Sequence, residues 1–182
     1  MGDWADNALR GTYGKEVERV ANSRDKWVPA STEGSRRSMA SNRSTGTGPE
    51  LVLAEVLRQS GLPAFEMNVR GLPGTPDFVW RAERVAVFLN GCYWHRCEEC
   101  ALPPPGGPNA ERWRLKFESN VRRHAAAVAA LEADGWLVYT VWEHEVAAEF
   151  VGLVVGTVEA MVQAGAEAAH SGNGGGDVGD RP

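Results

Sequence analysis

The sequence predicts an α/β domain in which a central mixed β-sheet is flanked by helices. Short apolar runs over residues 65–69, 77–80 and 85–89 sit between Gly- and Pro-bearing segments, which is the punctuation of strands. Two longer stretches, about 109–133 and from Phe150 to Met161, repeat their apolar residues at helical spacing. Between these two lies Trp136-Leu137-Val138-Tyr139-Thr140-Val141-Trp142, a run short enough for a strand and too apolar for an exposed edge. A chain of 182 residues suits one such domain with tails.

The elements follow in order. Residues 1–30 carry mixed charge and scattered aromatics without a sustained period, and they form an N-terminal extension. The body of the domain is expected over 31–164, opening with a basic arm rich in Ser, Thr, Gly and Arg (Ser35-Arg36-Arg37-Ser38, then Asn42-Arg43-Ser44). Thr47-Gly48-Pro49-Glu50 reads as a helix start, with Thr47 as N-cap, Pro49 in the first turn and Glu50 reaching back to the cap. Leu53, Val56 and Leu57 give that helix one buried stripe, and Gly61 ends it. In the long helix Trp113, Phe117, Val121, Ala125, Val128 and Leu131 share a face, opposite a basic one. Residues 165–182, mostly Gly, Ala and acids, read as a disordered tail.

The formal net charge of −5 argues against a polyanionic partner until its distribution is read. Residues 36–131 hold thirteen basic side chains against nine acidic ones, whereas 132–182 hold nine acidic and one basic. The middle of the chain is therefore locally basic, as phosphate contact requires. No apolar run approaches the roughly 20 residues needed to span a bilayer. The chain also starts without an apolar signal segment, so a reducing, cytoplasmic location is expected.

All three cysteines fall within Cys92-Tyr93-Trp94-His95-Arg96-Cys97-Glu98-Glu99-Cys100. In a reducing compartment, an odd number of crowded thiols points to a zinc site rather than to disulfides, with a fourth ligand supplied from elsewhere. His95 is either that ligand or a catalytic base. Asp77, ahead of a buried strand, is either a turn aspartate or a carboxylate that presents oxygens to a hard cation such as magnesium. Glu50 is accounted for by its capping role, which leaves room for a second one. Tyr93 and Trp94 serve either core packing or stacking on bases.

These residues together resemble the very short patch repair (Vsr-type) DNA mismatch endonucleases, a branch of the restriction-endonuclease-like (PD-(D/E)xK) fold. The match runs through Ser35-Arg36-Arg37-Ser38-Met39, Thr47-Gly48-Pro49-Glu50, Leu72-Pro73-Gly74-Thr75-Pro76-Asp77-Phe78-Val79 and Phe88-Leu89-Asn90-Gly91-Cys92-Tyr93-Trp94-His95. It continues at Trp113, Lys116, Asn120, Arg123, Gly135-Trp136 and Val141-Trp142-Glu143, covering about 31–145. The resemblance implies that Asp77 and the backbone carbonyl of Leu89 hold catalytic magnesium and that Glu50 holds metal-bound waters. His95 would activate the attacking water, because no Glu-x-Lys follows Asp77 to supply the usual lysine. Tyr93, Trp94 and Trp113 match aromatics that wedge into the duplex beside the mismatch, and Arg36, Arg37, Arg43, Lys116, Asn120 and Arg123 would meet DNA.

The same resemblance implies a Cys3His zinc site of Cys92, Cys97, Cys100 and His144, which leaves His95 free for catalysis. The chain departs from the family pattern at His124, where relatives carry an aspartate that orients the catalytic histidine. The implied activity is magnesium-dependent nicking of one strand at a T·G mismatch, by a monomer acting on double-stranded DNA, with mismatch-repair proteins as possible partners. Its rivals are a restriction endonuclease of the same fold that cuts both strands, and a zinc-bearing DNA-binding module without catalysis.

Overall fold

The structure is a computed structural model in which residues 45–100 and 102–172 are described. The expected N-terminal extension and Arg36, Arg37 and Arg43 of the basic arm lie outside the described residues, as does the tail beyond Gly172. The chain divides into two compact units, one comprising Gly46–Asn90 with the chain from Val128 onward, the other built on Gly91–Ala127.

The first unit holds the sheet and its core. Helix α1 (Gly48–Gln59) starts as its sequence dictates: Thr47 is the N-cap, its hydroxyl accepting from the Glu50 amide at 3.5 Å. The helix is followed by β1 (Glu66–Met67), β2 (Phe78–Trp80) and β3 (Val85–Asn90), then by β4 (Leu137–Trp142), a 3-10 turn (Glu143–Val146) and helix α3 (Val151–Gly172). The strand order is β1-β2-β3-β4. The first two pairings are antiparallel, with Phe78 opposite Val87, and β3 runs parallel to β4 with Leu89 opposite Val141. A parallel pair needs a long crossover, which contains α2 (Ala110–Ala133). The mixed sheet with helices is thus the one expected.

One core joins these elements. Leu53, Ala54 and Leu57 of α1 cluster with Phe78, Trp80, Val85, Val87, Val141 and with Val154, Val158 and Val162 of α3. β3 alternates Val85 and Val87 into that cluster while Ala86 and Phe88 are also buried, so both of its faces are covered. Fully burying each of the larger side chains stabilises the fold by about 1.5–3 kcal/mol.

Three expectations need correction. The strand over 65–69 contracts to Glu66–Met67, because Asn68 takes a left-handed φ of 51° that ends the extended run; Phe65 still packs on Phe78 and Trp80 at ring distances of 5.5 and 5.2 Å. β4 is an edge strand in the described sheet despite its apolar composition, since α3 covers its core-facing side chains. Finally, α3 runs past Ala164 to Gly172, into the stretch expected to be disordered. Its alanines favour helix, and Gly165 is buried where a Cβ would stand 2.0 Å from the Glu83 carbonyl oxygen, so tertiary packing fixes this turn.

Candidate active site and metal centre

In the sheet-bearing unit the site grows from a mismatch in strand length. β3 extends beyond the last residue paired with β2, and the amide of Leu89 would otherwise lack an acceptor on that side. Asp77 fills the place: its Oδ2 accepts from Leu89 N–H at 2.7 Å. The Asp77 backbone is fixed as well, its N–H donating to Val87 O and its carbonyl accepting from Asn68 N–H, each at 3.0 Å. The preceding turn is tight, with Gly71, Gly74 and Thr75 all at positive φ. A non-glycine residue in that region stores strain, and such strain concentrates at functional segments.

Glu50 supplies the second carboxylate. It is 5 % exposed and caps α1 in both directions, accepting from Gly46 N–H at 2.8 Å and from the Thr47 hydroxyl at 3.0 Å. The predicted capping role is therefore present, with the carboxyl at a helix N-terminus, where the backbone dipoles favour negative charge. Asp77 carries the cost. Burial, against the opposing pull of the Leu89 N–H, together with the Glu50 charge, pushes its carboxyl from 3.8 up to about 6. Because the folded value lies above the unfolded one, the charged carboxylate destabilises the fold at pH 7, by about 3 kcal/mol; that penalty disappears as pH falls from about 6 toward 4. Half-buried Asp77 and buried Glu50 supply carboxylate oxygens, hard donors of the kind magnesium takes.

The second unit carries the histidines, thiols and aromatics. Its loop begins with a turn in which the amides of Trp94 and His95 both donate to Gly91 O at 3.1 Å, and Cys97 N–H donates to Cys92 O at 3.0 Å. His95 is half-buried, and its Nδ1 is buried with no hydrogen-bond partner among the described residues. Burial, then the charges of His124 and Arg123, hold His95 far below the usual imidazole range, at about 4, so it is neutral at pH 7. His124 lies with its ring centroid 5.5 Å from that of His95, the rings nearly perpendicular, and burial lowers its pKa too. The position expected to orient the base is thus beside it, occupied by a group that brings no negative charge.

The aromatics divide between the two roles open to them. Phe117, 3 % exposed, is the hub: Tyr93 meets it edge-on at 5.2 Å, and Trp113 stacks on it at 5.8 Å. Trp94 sits 5.3 Å from Tyr93 and 5.7 Å from Trp113. Tyr93, Trp94 and Trp113 nevertheless remain half-exposed, so packing and presentation to solvent coexist. Sequence reading undervalued the packing, and missed Arg96, which lies over the Phe117 ring at 5.1 Å. Lys116, Asn120 and Arg123 follow Trp113 along α2 at helical spacing, and partial burial and then Arg123 hold the Lys116 pKa below its usual range.

All three cysteines are free, Cys92 and Cys97 buried and Cys100 half-buried with its thiol in hydrogen-bond contact with the other two. A ligand atom from each of Cys92, Cys97, Cys100 and His144 lies within 4.8 Å of the others. This Cys3His group could hold a metal ion, and thiolates with one imidazole are the donors of closed tetrahedral zinc sites. His144 stands on the 3-10 turn, where the Glu145 carboxylate accepts from Trp142 N–H at 2.6 Å. That cap was missed, although a glutamate three residues after a strand end is a readable signal.

Comparison with known proteins places the chain. The family described as DNA mismatch endonuclease Vsr matches residues 25–102. The type II nicking enzyme V.NaeI of Lentzea aerocolonigenes is 36% identical over 129 residues, covering 69% of this chain and 76% of that protein. The type II nicking enzyme V.XorIIP of Xanthomonas oryzae is 36% identical over 115 residues, 63% of this chain and 83% of its own length. The DNA mismatch endonuclease Vsr of Escherichia coli is 36% identical over 107 residues, 59% of this chain and 67% of its own. Taken with the sheet, the buried carboxylates and the Cys3His group, these likenesses show that the chain belongs to the Vsr family of DNA endonucleases, with its restriction-endonuclease-like fold.

Proposed function

We propose that this protein is a magnesium-dependent endonuclease that nicks one strand of duplex DNA at a T·G mismatch, the lesion left when 5-methylcytosine deaminates. The observation that carries the proposal is the Asp77 carboxyl, held by the Leu89 N–H and raised to about 6 by burial and then by Glu50, a charge that a bound cation would stabilise at neutral pH. Relatives named as nicking enzymes support cutting of one strand rather than two. A neutral histidine and a strained carboxylate argue for catalysis over a passive DNA-binding module.

In this reading Asp77 and the Leu89 carbonyl would hold magnesium, with Glu50 beside them to hold metal-bound waters. An ion held by these residues would supply positive charge to the phosphate oxygens. His95, neutral at pH 7, accepts a proton from the attacking water. Tyr93, Trp94 and Trp113 wedge into the stack, which a weak T·G pair opposes less than a sound pair does. Lys116, Asn120 and Arg123, with Arg36, Arg37 and Arg43 of the arm, meet the DNA. Zinc in the Cys92, Cys97, Cys100 and His144 group is structural.

The deciding test compares matched duplexes carrying T·G or T·A, with and without magnesium. Nicking of one strand of the T·G duplex alone, only with magnesium, is expected. Asp77→Asn should lower that rate by orders of magnitude while mismatched DNA still binds, because the substitution keeps shape and removes the cation-holding charge. Equal nicking of both duplexes would refute the mismatch reading.

Elemental analysis should find about one zinc per chain, as a single closed site requires. Cys92→Ser should lose it together with thermal stability. A fully folded, zinc-free protein would contradict the assignment.

After burial, His124 is the next cause of the low His95 pKa. Replacing it with a carboxylate in His124→Asp should favour the protonated form of His95, raise its pKa from about 4 toward neutrality and strengthen it as a base. Single-turnover nicking with saturating magnesium should then be faster at pH 7, with its acid limb moved upward. Superimposable pH–rate profiles for the two proteins would show that His124 does not act on the base.

A further inference from the structure

We infer that His95 and His124 form a second metal site, which takes one zinc, nickel or copper ion and not magnesium. The pair lies within the unit built on Gly91–Ala127, His95 in the loop and His124 on α2. It shares no residue with the Cys3His group or with the Asp77 and Glu50 carboxylates. That such an ion silences nicking rests on the proposed role of His95 as the base; that it binds does not.

The ring separation is the first observation. An imidazole nitrogen holds zinc at about 2.0–2.1 Å, which puts the ring centre about 3 Å from the ion. Two such rings at a tetrahedral angle then have centres about 5 Å apart. The His95 and His124 centroids are 5.5 Å apart, with the ring planes nearly perpendicular. Coordination leaves the twist between two rings open, and the last torsion of a histidine is broad enough to turn each nitrogen toward a shared ion. The second observation is His95 Nδ1, buried with no hydrogen-bond partner among the described residues. Where the family pattern sets a carboxylate beside this ring, the chain sets a second imidazole.

Donor chemistry separates this site from the other two. Imidazole suits zinc, copper and nickel, whereas carboxylate and carbonyl oxygens suit magnesium. Two protein ligands with water completing the shell bind more weakly than three thiolates and an imidazole. The charge of Arg123, which acts on His95, weakens the site further. The pair therefore fills after the Cys3His group and empties first, as reversible inhibition requires. A ring nitrogen occupied by an ion does not take a proton from water.

The test counts zinc and follows the histidine rings by NMR. The chain has four histidines, so His144 and His170 serve as controls for the pair. Zinc-loaded full-length protein, with magnesium saturating, is titrated with zinc chloride. Zinc content should rise from about one to about two per chain, the closed site and then this pair. The His95 and His124 ring signals should move together while that of His170 stays, and His124→Ala should take up no second zinc. His124→Gln serves if the alanine variant fails to fold. Ring signals of His95 and His124 that ignore added zinc would overturn the inference. A second zinc retained in both His124→Ala and His95→Gln would overturn it too, by placing the ion elsewhere. Single-turnover nicking of T·G duplex should fall by about 100-fold as the second zinc binds, the scale of a lost general base, and recover when that zinc is removed. Failure of the metal-titrated wild-type protein to nick T·G duplex even before zinc is added, with both ring signals still moved by zinc, would refute the proposed function and leave the site standing.

Discussion

A single buried carboxylate organises the sheet end of this protein. Asp77 accepts from the Leu89 amide at 2.7 Å, closing the gap where β3 outruns its neighbour, and it does so beside the more deeply buried Glu50. The two acids are not equivalent. Glu50 sits on a helix N-terminus with two donors on its oxygens, whereas burial, and after it the Glu50 charge, raises the Asp77 carboxyl to about 6. A fold selected for stability alone would place an asparagine there. Retention of the acid makes sense if a cation joins it, and the proposed magnesium site follows from that constraint.

The remaining architecture serves to hold this carboxylate and its surroundings still. β3 is buried on both faces, and Phe78, the residue after Asp77, is fully buried in the core shared with α1 and α3. A shift of Asp77 would therefore drag core side chains with it. Among the described residues, the unit built on Gly91–Ala127 packs instead around an aromatic cluster centred on Phe117 of α2, with three thiols in the preceding loop. A short loop with little apolar surface to bury would gain from a metal staple at its crowded thiols.

Much of this was legible in the sequence because it depends on local chemistry. Thr47-Gly48-Pro49-Glu50 encodes its own cap, and the crowding of Cys92, Cys97 and Cys100 announces a metal group before any fold is known. Other features depend on tertiary contact and left little local trace. The helix beyond Ala164 looks like a polar tail until Gly165 is seen against the Glu83 carbonyl. β4 reads as an interior strand because composition reports burial, and burial here comes from α3 rather than from a further strand. Asn120 and Arg123 look like DNA contacts on the basic face of a helix, and only the fold reveals that they are engaged with each other and with Trp94.

The most direct test of this account is the titration of Asp77 itself, followed by carbon-13 NMR of its side-chain carboxyl with assignment by Asp77→Asn. Without divalent metal its midpoint should lie near 6, and Glu50→Gln, which removes the neighbouring charge, should lower it. Magnesium should lower it as well, because a bound cation favours the charged form. A midpoint near 3.8 that neither Glu50→Gln nor magnesium changes would contradict the claim that a strained, cation-seeking carboxylate lies at the centre of this site.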